Sequence, residues 1–309
     1  MNNCLIFTGN ANKPLAEKIC HFLNKQLGQI EVSRFNDGEI SVKIEENVRG
    51  KDVFIIQPTC SPVNENIMEL LVMLDAFRRA SPRRITAVIP YYGYARQDRK
   101  DRPRVPITAK LIANLLVAAG AQRVLTMDLH APQIQGFFDI PVDHLFAAPV
   151  IISYLRSKNM KNPVIVAPDV GSVKMARAFA KRINSRLVIV DKRRDGPDSV
   201  EATHLIGEVD GCEAIIVDDM ISTGNTVIEA TKVLVENGTS KVLVSCTHPV
   251  LSEGAIKKLD QAGLSEIIIT DTIPHSSLPD KFTVLSVSKL LGEAIKRIHQ
   301  ETSVSSLFI

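Results

Sequence analysis

The chain has 309 residues, 45% hydrophobic and 23% charged, with 37 Lys and Arg against 34 Asp and Glu and a formal charge of +3. This composition supplies a sizeable core for one large or two ordinary domains. The small charge excludes binding to nucleic acid through bulk basicity, so any basic function must come from local clustering. The opening MNNCLIFTGN has no basic segment leading into a long apolar one, and no apolar run reaches the roughly 18 residues of a bilayer span. Five scattered cysteines (Cys4, Cys20, Cys60, Cys212, Cys246) show neither metal nor disulfide spacing and read as reduced core thiols. A cytoplasmic protein with no membrane partner is the expectation.

In chain order, short β-branched runs recur at CLIF (4–7), DVFII (52–56), RITAVI (84–89), RVLTM (123–127), PVIVA (163–167), RLVIV (186–190), EAIIV (213–217), KVLVS (241–245) and EIIIT (266–270). Continuous apolar runs of this length, alternating with amphipathic segments, predict an α/β fold of mainly parallel strands with helices on both faces. A repeat is also visible. GKDVFIIQPTCSPVNENIMELLVMLDAFRRASPRRITAVIP from Gly50 and GCEAIIVDDMISTGNTVIEATKVLVENGTSKVLVSCTHP from Gly211 share one order: Gly, strand, polar turn, amphipathic helix, basic linker, strand, proline. LIFTGNANKPLAEKI from Leu5 echoes VIVAPDVGSVKMARAFA from Val164. Two domains of related topology, 1–147 and 148–309, are expected, with chance likeness between βαβ units as the plainer alternative.

The stretch IIVDDMISTGNT (215–226) runs from a greasy strand into two carboxylates and then a turn with few bulky side chains. The matching first-half position is Gln57-Pro58, so the fold itself does not require Asp218 and Asp219. Ligands of parallel sheets collect at carboxyl strand ends. There, paired carboxylates accept hydrogen bonds from neighbouring sugar hydroxyls. The N–H groups and hydroxyls of Ser222, Thr223, Gly224, Asn225 and Thr226, opening a helix near Val227, form an anion cradle. Together they describe a sugar-phosphate site. A simple N-cap is the alternative, and it leaves both aspartates unexplained.

VDDMISTGNT resembles the phosphoribosyl-pyrophosphate loop of the type I phosphoribosyltransferase fold. RFNDGE, PYYGYARQDRK, TMDLHAPQIQGFF, APDVGSVKMA, DKRR and THPV narrow the resemblance to the ribose-phosphate pyrophosphokinases, over the chain from FTGNAN to SVSSLF. Two positions depart from the pattern: Asn225 and Ser172, each where a small residue or Gly is usual. Asn tolerates a left-handed backbone, so the cradle is expected to survive.

The resemblance implies transfer of the ATP pyrophosphoryl group to the C1 hydroxyl of ribose 5-phosphate, serving nucleotide, histidine and tryptophan synthesis, with Mg2+ as cofactor. It makes Lys192 and Arg194 the catalytic cations, where residues alone would allow a solvated basic turn. His130 and Asp169 become ligands of the magnesium-nucleotide, although a lone histidine is more often structural. YYGYARQDRKDRPR by itself suits either single-stranded RNA or an ATP lid. The resemblance selects the lid in the N-terminal domain, Arg96 and Gln97 contacting ATP, and implies no nucleic-acid partner. Asp37 and Glu39, otherwise a turn, are expected to meet nucleotide from a neighbouring subunit. That implies a homo-oligomer, dimers assembling to a hexamer, with phosphate and ADP as effectors. Arg49 and Ser81 are the candidate regulatory anion ligands, a basic surface linker being the alternative. The rival functions are a phosphoribosyltransferase and a non-catalytic regulatory paralogue. The first leaves YARQDRK and DKRR unexplained, and the second predicts eroded catalytic positions.

Overall fold

The structure, a computed structural model, describes residues 3–193 and 202–308. Two compact units divide the chain: Met1–Phe146 with Thr272–Pro274 and Ser286–Ile309, and Ala147–Asp271 with His275–Leu285.

In the first unit, β1 (Cys4–Thr8), α1 (Lys13–Phe22), β2 (Ile30–Arg34), β3 (Ile40–Ile44), β4 (Asp52–Ile56), α2 (Val63–Arg79), β5 (Arg84–Ile89), α3 (Thr108–Ala119), β6 (Arg123–Met127) and β7 (Val142–Leu145) follow one another. A five-stranded parallel sheet runs in the order β1-β4-β5-β6-β7, and β2 and β3 form a separate antiparallel ribbon. All five residues of β4 are buried, as a strand covered on both faces requires. Helix α2 starts after Pro62, a residue suited to a helix N-terminus, and turns Ile67, Leu70, Met73, Leu74 and Phe77 inward at helical spacing. Phe77 meets Phe7 of β1 with ring centroids 4.6 Å apart.

In the second unit, α4 (Ala148–Arg156), β8 (Pro163–Ala167), α5 (Val173–Ile183), β9 (Arg186–Arg193), β10 (Ala202–Ile206), β11 (Glu213–Ile221), α6 (Asn225–Glu236), β12 (Lys241–Pro249), α7 (Ala255–Asp260), β13 (Glu266–Thr270) and β14 (Phe282–Leu285) build a seven-stranded sheet in the order β10-β9-β8-β11-β12-β13-β14. Only β10 is antiparallel to its neighbour.

Both sequence echoes survive as structure. Strands β8-β11-β12-β13-β14 repeat the order β1-β4-β5-β6-β7. Phe7 pairs with Ile55 in the first unit, and Val166 pairs with Ile216 in the second. Those are the positions that the matches from Leu5 and Val164, and from Gly50 and Gly211, place in correspondence. The same counting puts Asn66, Glu69, Leu70 and Met73 of α2 opposite Val227, Ala230, Thr231 and Leu234 of α6, and all eight are buried. The units differ in their ribbons: β9-β10 is hydrogen-bonded to β8, whereas β2-β3 stands apart from its sheet. Chain direction therefore reverses at β8 in the second unit, leaving a switch point between β8 and β11.

The C-terminal stretch differs from the sequence expectation. Residues 286–309, assigned above to a domain of 148–309, belong to the first unit, where α8 (Ser288–His299) packs on α1. Buried charge explains why. Asp52, 3% exposed, receives Arg84 on both oxygens at 2.9 and 2.5 Å, and His299 Nδ1 lies 2.8 Å from Oδ2. Arg84 also donates to the Ile298 carbonyl at 2.9 Å. Asp52→Ala strands the Arg84 guanidinium in this setting, and loss of one partner of a buried pair costs about 3 kcal/mol. A corresponding fall in unfolding free energy by denaturant titration is expected; a change below about 1 kcal/mol would refute the anchoring role.

Candidate active site

Beyond Ile216, β11 loses its partner β8 and continues paired with β12 alone, Asp218 opposite Cys246 and Met220 opposite His248. The two aspartates therefore lie in the strand, on the stretch that projects past the switch point. Asp218 accepts the Asp219 N–H at 2.9 Å. Its carboxyl is pushed well above the usual carboxylate range, first by burial, then by the Asp219 charge and hydrogen bond, with the Asp169 charge adding to both. The buried Asp218 carboxyl thus lies under the influence of two further acids.

Asp169 follows β8 on the opposite side of the switch point. Its Oδ1 accepts the Ser172 N–H at 2.9 Å and the Ser172 hydroxyl at 3.2 Å, and that hydroxyl also reaches the Asp169 carbonyl at 3.0 Å. Ser172, an oddity in the sequence, is buried and braces a site carboxylate. A Gly there would retain only the main-chain contact.

The turn after β11 is shaped by Gly224, at φ 78°, where a side chain would be strained and a Cβ would come within 3.0 Å of Leu259. The left-handed residue is thus Gly224. Asn225 is already the first residue of α6, so the expectation that it adopts that conformation is corrected. No side chain caps α6, which disposes of the N-cap alternative. Thr223 Oγ1 accepts only the Asn225 N–H, at a long 3.4 Å. The carbonyls of Ile221 and Ser222 are held by the N–H groups of Leu251 and Ser252, at 2.9 and 3.0 Å. Thr223 and Asn225 are exposed, and Ser222 and Thr226 half-buried. A helix start left in this way attracts anions.

Two family models match the chain: the N-terminal domain of ribose phosphate pyrophosphokinase over residues 4–120, and the phosphoribosyl synthetase-associated domain over residues 194–309. The ribose-phosphate pyrophosphokinase of Thermosipho africanus is 54% identical over 309 residues, 99% of this chain and 98% of the relative. That of Thermotoga maritima is 52% identical with the same coverage. The chain belongs to the ribose-phosphate pyrophosphokinase family. Its structure also superposes on phosphoribosylpyrophosphate synthetase from Mycobacterium smegmatis with a TM-score of 0.92 and 39% identity, covering 97% of this chain and 99% of that one.

The remaining expected residues of this pyrophosphokinase fall as follows. Lys192 lies near the end of β9, its backbone opposite Thr203 of β10, and Arg194 lies outside the described residues. His130 is exposed after β6. Its loop is set by Asp128 at φ 37° and by the Leu129 N–H, which donates to His144 Nε2 at 2.8 Å. That nitrogen is therefore unprotonated, and the buried His144 is a support that sequence reading missed. Arg96 is exposed; Gln97 is held in the loop by Thr108, whose hydroxyl donates to its Oε1 at 2.5 Å. Tyr91 and Tyr92 are buried, and Tyr94 donates to Asn64 at 2.5 Å. Tyr91 and Tyr92 thus fill the unit and Tyr94 is half-buried, while Arg96, Gln97, Arg99 and Lys100 of YYGYARQDRK stand exposed. Asp37 and Glu39 are exposed in the turn between β2 and β3, beside Phe35 at 58% exposure. Arg49 and Ser81 are exposed on adjoining loops, which the Gly50 N–H joins through the Ser81 carbonyl at 3.2 Å.

Proposed function

We propose that the chain transfers the pyrophosphoryl group of ATP to the C1 hydroxyl of ribose 5-phosphate, giving 5-phosphoribosyl 1-pyrophosphate and AMP. The observation that carries the reading is the second unit's switch point: an acid-rich strand end beside an uncapped helix turn, in a chain of this family matched along nearly its whole length. Asp218 and Asp219 accept the adjacent ring hydroxyls, while Ser222, Thr223, Gly224, Asn225 and Thr226 hold the 5-phosphate.

The C1 oxygen bonds to the β-phosphorus as the bridge to the α-phosphate breaks, the hydroxyl proton leaves, and AMP departs with the bridging oxygen. Such a transfer needs in-line positioning and charge stabilisation more than a covalent intermediate. Lys192 and Arg194 meet the charge on the moving phosphates. Arg96 and Gln97 contact ATP. Asp169 and His130 are assigned to the metal-nucleotide.

Among the described residues no three His, Cys, Asp or Glu side chains converge as a metal cage, but Asp169 is a hard oxygen donor of the kind that Mg2+ takes. Magnesium typically takes one or two carboxylates plus substrate phosphates, so a closed protein cage is not required. Bound there, it would neutralise phosphate charge.

The exposed ribbon tip supports a nucleotide contact from Asp37 and Glu39 of a neighbouring subunit, hence an oligomer of dimers up to a hexamer. The joined loops of Arg49 and Ser81 support an anion site for phosphate or ADP. No helix among the described residues is long and apolar enough to cross a membrane.

Purified protein given ATP, Mg2+ and ribose 5-phosphate is expected to release AMP in equal amount to phosphoribosyl pyrophosphate. Omission of either Mg2+ or the sugar stops release, and added phosphate raises the rate. A preparation that releases no AMP in any of these mixtures contradicts the assignment.

A further inference from the structure

The first unit holds a counterpart of the sugar site, and it is closed from within. By the register match, Asn10 corresponds to Asp169, Gln57 to Asp218 and Glu69 to Ala230. Two acids of the second unit are thus carboxamides in the first, and the alanine at the matching position of α6 is a glutamate on α2. Glu69 lies on the buried face of its helix and is 5% exposed. Its Oε1 accepts the Asn10 main-chain N–H at 2.6 Å and the Gln57 side-chain amide at 2.8 Å; its Oε2 accepts Asn10 Nδ2 at 2.9 Å. Gln57 Oε1 accepts the Ala11 N–H at 3.2 Å. Gly9 permits this approach, since a Cβ there would stand 2.5 Å from both Gln57 Oε1 and Glu69 Oε1. The carboxylate gathers these amides as an internal anion, where the second unit has the buried Ala230.

One arm of this circuit leads outward. Asn10 Nδ2 also donates to the Val32 carbonyl of β2, at 3.2 Å. The β2-β3 ribbon has no ladder to the five-stranded sheet. Its position depends on apolar packing of Ile30, Val32, Val42 and Ile44 against the core, on the Gly28 N–H just ahead of β2, which donates to the Ile6 carbonyl of β1 at 2.7 Å, on the exposed ion pair of Arg34 with Glu65 of α2, and on this link. An exposed pair holds geometry weakly, whereas a hydrogen bond oriented by a buried carboxylate is directional.

We propose that Glu69 is a positioning residue: by closing the vestigial first-unit site it fixes Asn10, and through Asn10 it sets the ribbon that carries Phe35, Asp37 and Glu39. The consequence for ATP rests on the nucleotide contact proposed above; the clamp itself does not.

Glu69→Gln keeps the volume and one acceptor oxygen but sets an NH2 group against Asn10 Nδ2. Asn10→Ala, at an exposed position, removes the Nδ2 bonds to both Glu69 Oε2 and the Val32 carbonyl but keeps the two bonds to Glu69 Oε1 from the residue 10 N–H and Gln57, so it preserves the fold if the first variant is destabilised. In the full-length enzyme, both are expected to speed hydrogen exchange of β2 and β3 amides about tenfold over amides of β4 and β5. Both should raise the KM for ATP about tenfold, with the KM for ribose 5-phosphate within twofold. Unchanged ribbon exchange in both variants overturns the proposal, whatever the kinetics. Faster exchange in Glu69→Gln alone also overturns it, because the effect then bypasses Asn10. Faster exchange in both with an unchanged KM for ATP supports the clamp and instead removes the nucleotide role of Asp37 and Glu39.

Discussion

Lys192→Ala is expected to lower kcat by about two orders of magnitude and to leave the KM for ribose 5-phosphate within about threefold. Removing one well-placed donor to a transition-state charge costs roughly 3–4 kcal/mol. The effect belongs in kcat because the charge passing between the β-phosphorus, the incoming C1 oxygen and departing AMP is concentrated only during transfer, so a cation serving it contributes little to sugar binding. The proposed sugar anchors lie on β11 and the turn after it, whereas Lys192 lies near the end of β9, two strands away across β8. Initial AMP-release rates over a range of ribose 5-phosphate concentrations measure both constants. A KM that rises in step with the loss of rate would show that Lys192 holds ground-state sugar phosphate. A rate within threefold of the parent would remove it from the chemistry. Lys192→Arg retains the charge but not the compact ammonium head, and an intermediate rate is the corresponding signature.

Much of the architecture was legible because buried parallel strands advertise themselves. The nine apolar runs read from sequence are β1, β4, β5, β6, β8, β9, β11, β12 and β13, and all but β9 are mostly buried. The strands not read are of another kind. β2 and β3 alternate half-exposed Ile and Val with Ser, Lys, Glu and Arg, while β7, β10 and β14 are edge strands of four or five residues. Exposure on one face removes the continuous apolar run, and short edges leave too little pattern to register. The placement of α8 was illegible for a different reason. Its docking depends on Asp52, Arg84 and His299, which are far apart in sequence and look like surface charges until the chain brings them together.

Site residues divide in the same way. Asp218, Asp219 and Gly224 could be found because they break the local rule: acids in an apolar strand, and a small residue where a helix begins. Residues acting through others could not. Ser172 bracing Asp169, His144 accepting from the loop of His130, and Glu69 closing the first-unit copy all work through contacts that no spacing encodes. The tyrosines of YYGYARQDRK show the converse error. Interleaving with basic residues suggested an aromatic platform, but the backbone after β5 turns Tyr91 and Tyr92 into the interior.

Asp218→Asn should separate function from stability, moving them in opposite directions. Asp218 is desolvated and faces Asp219 and Asp169, so its carboxyl holds a proton more tightly in the folded protein than in the unfolded chain. A raised folded pKa means that the unfolded state releases this proton first. Stability of the ligand-free enzyme therefore falls as pH rises above the ordinary aspartate value, and the penalty is complete once the folded carboxyl has ionised. The amide removes that penalty. At neutral pH the empty variant is expected to exceed the parent by about 1 kcal/mol, the scale of a relieved charge conflict, or roughly 2–4 °C in Tm for a domain of this size. The advantage shrinks as pH is lowered from the raised folded value of Asp218 and is gone at the ordinary aspartate value. Ribose 5-phosphate reverses the order, because two neighbouring hydroxyls need acceptors and a carboxamide directs N–H groups at one of them. Charge-assisted bonds of this type are worth about 1.5–3 kcal/mol each, so affinity should fall roughly 100-fold. Sugar-induced thermal shift, which follows from binding to the folded state, should then be large in the parent and nearly absent in the variant. Equal shifts in both proteins would move the sugar away from β11, and a less stable empty variant would show that Asp218 is held charged by partners that outweigh its burial.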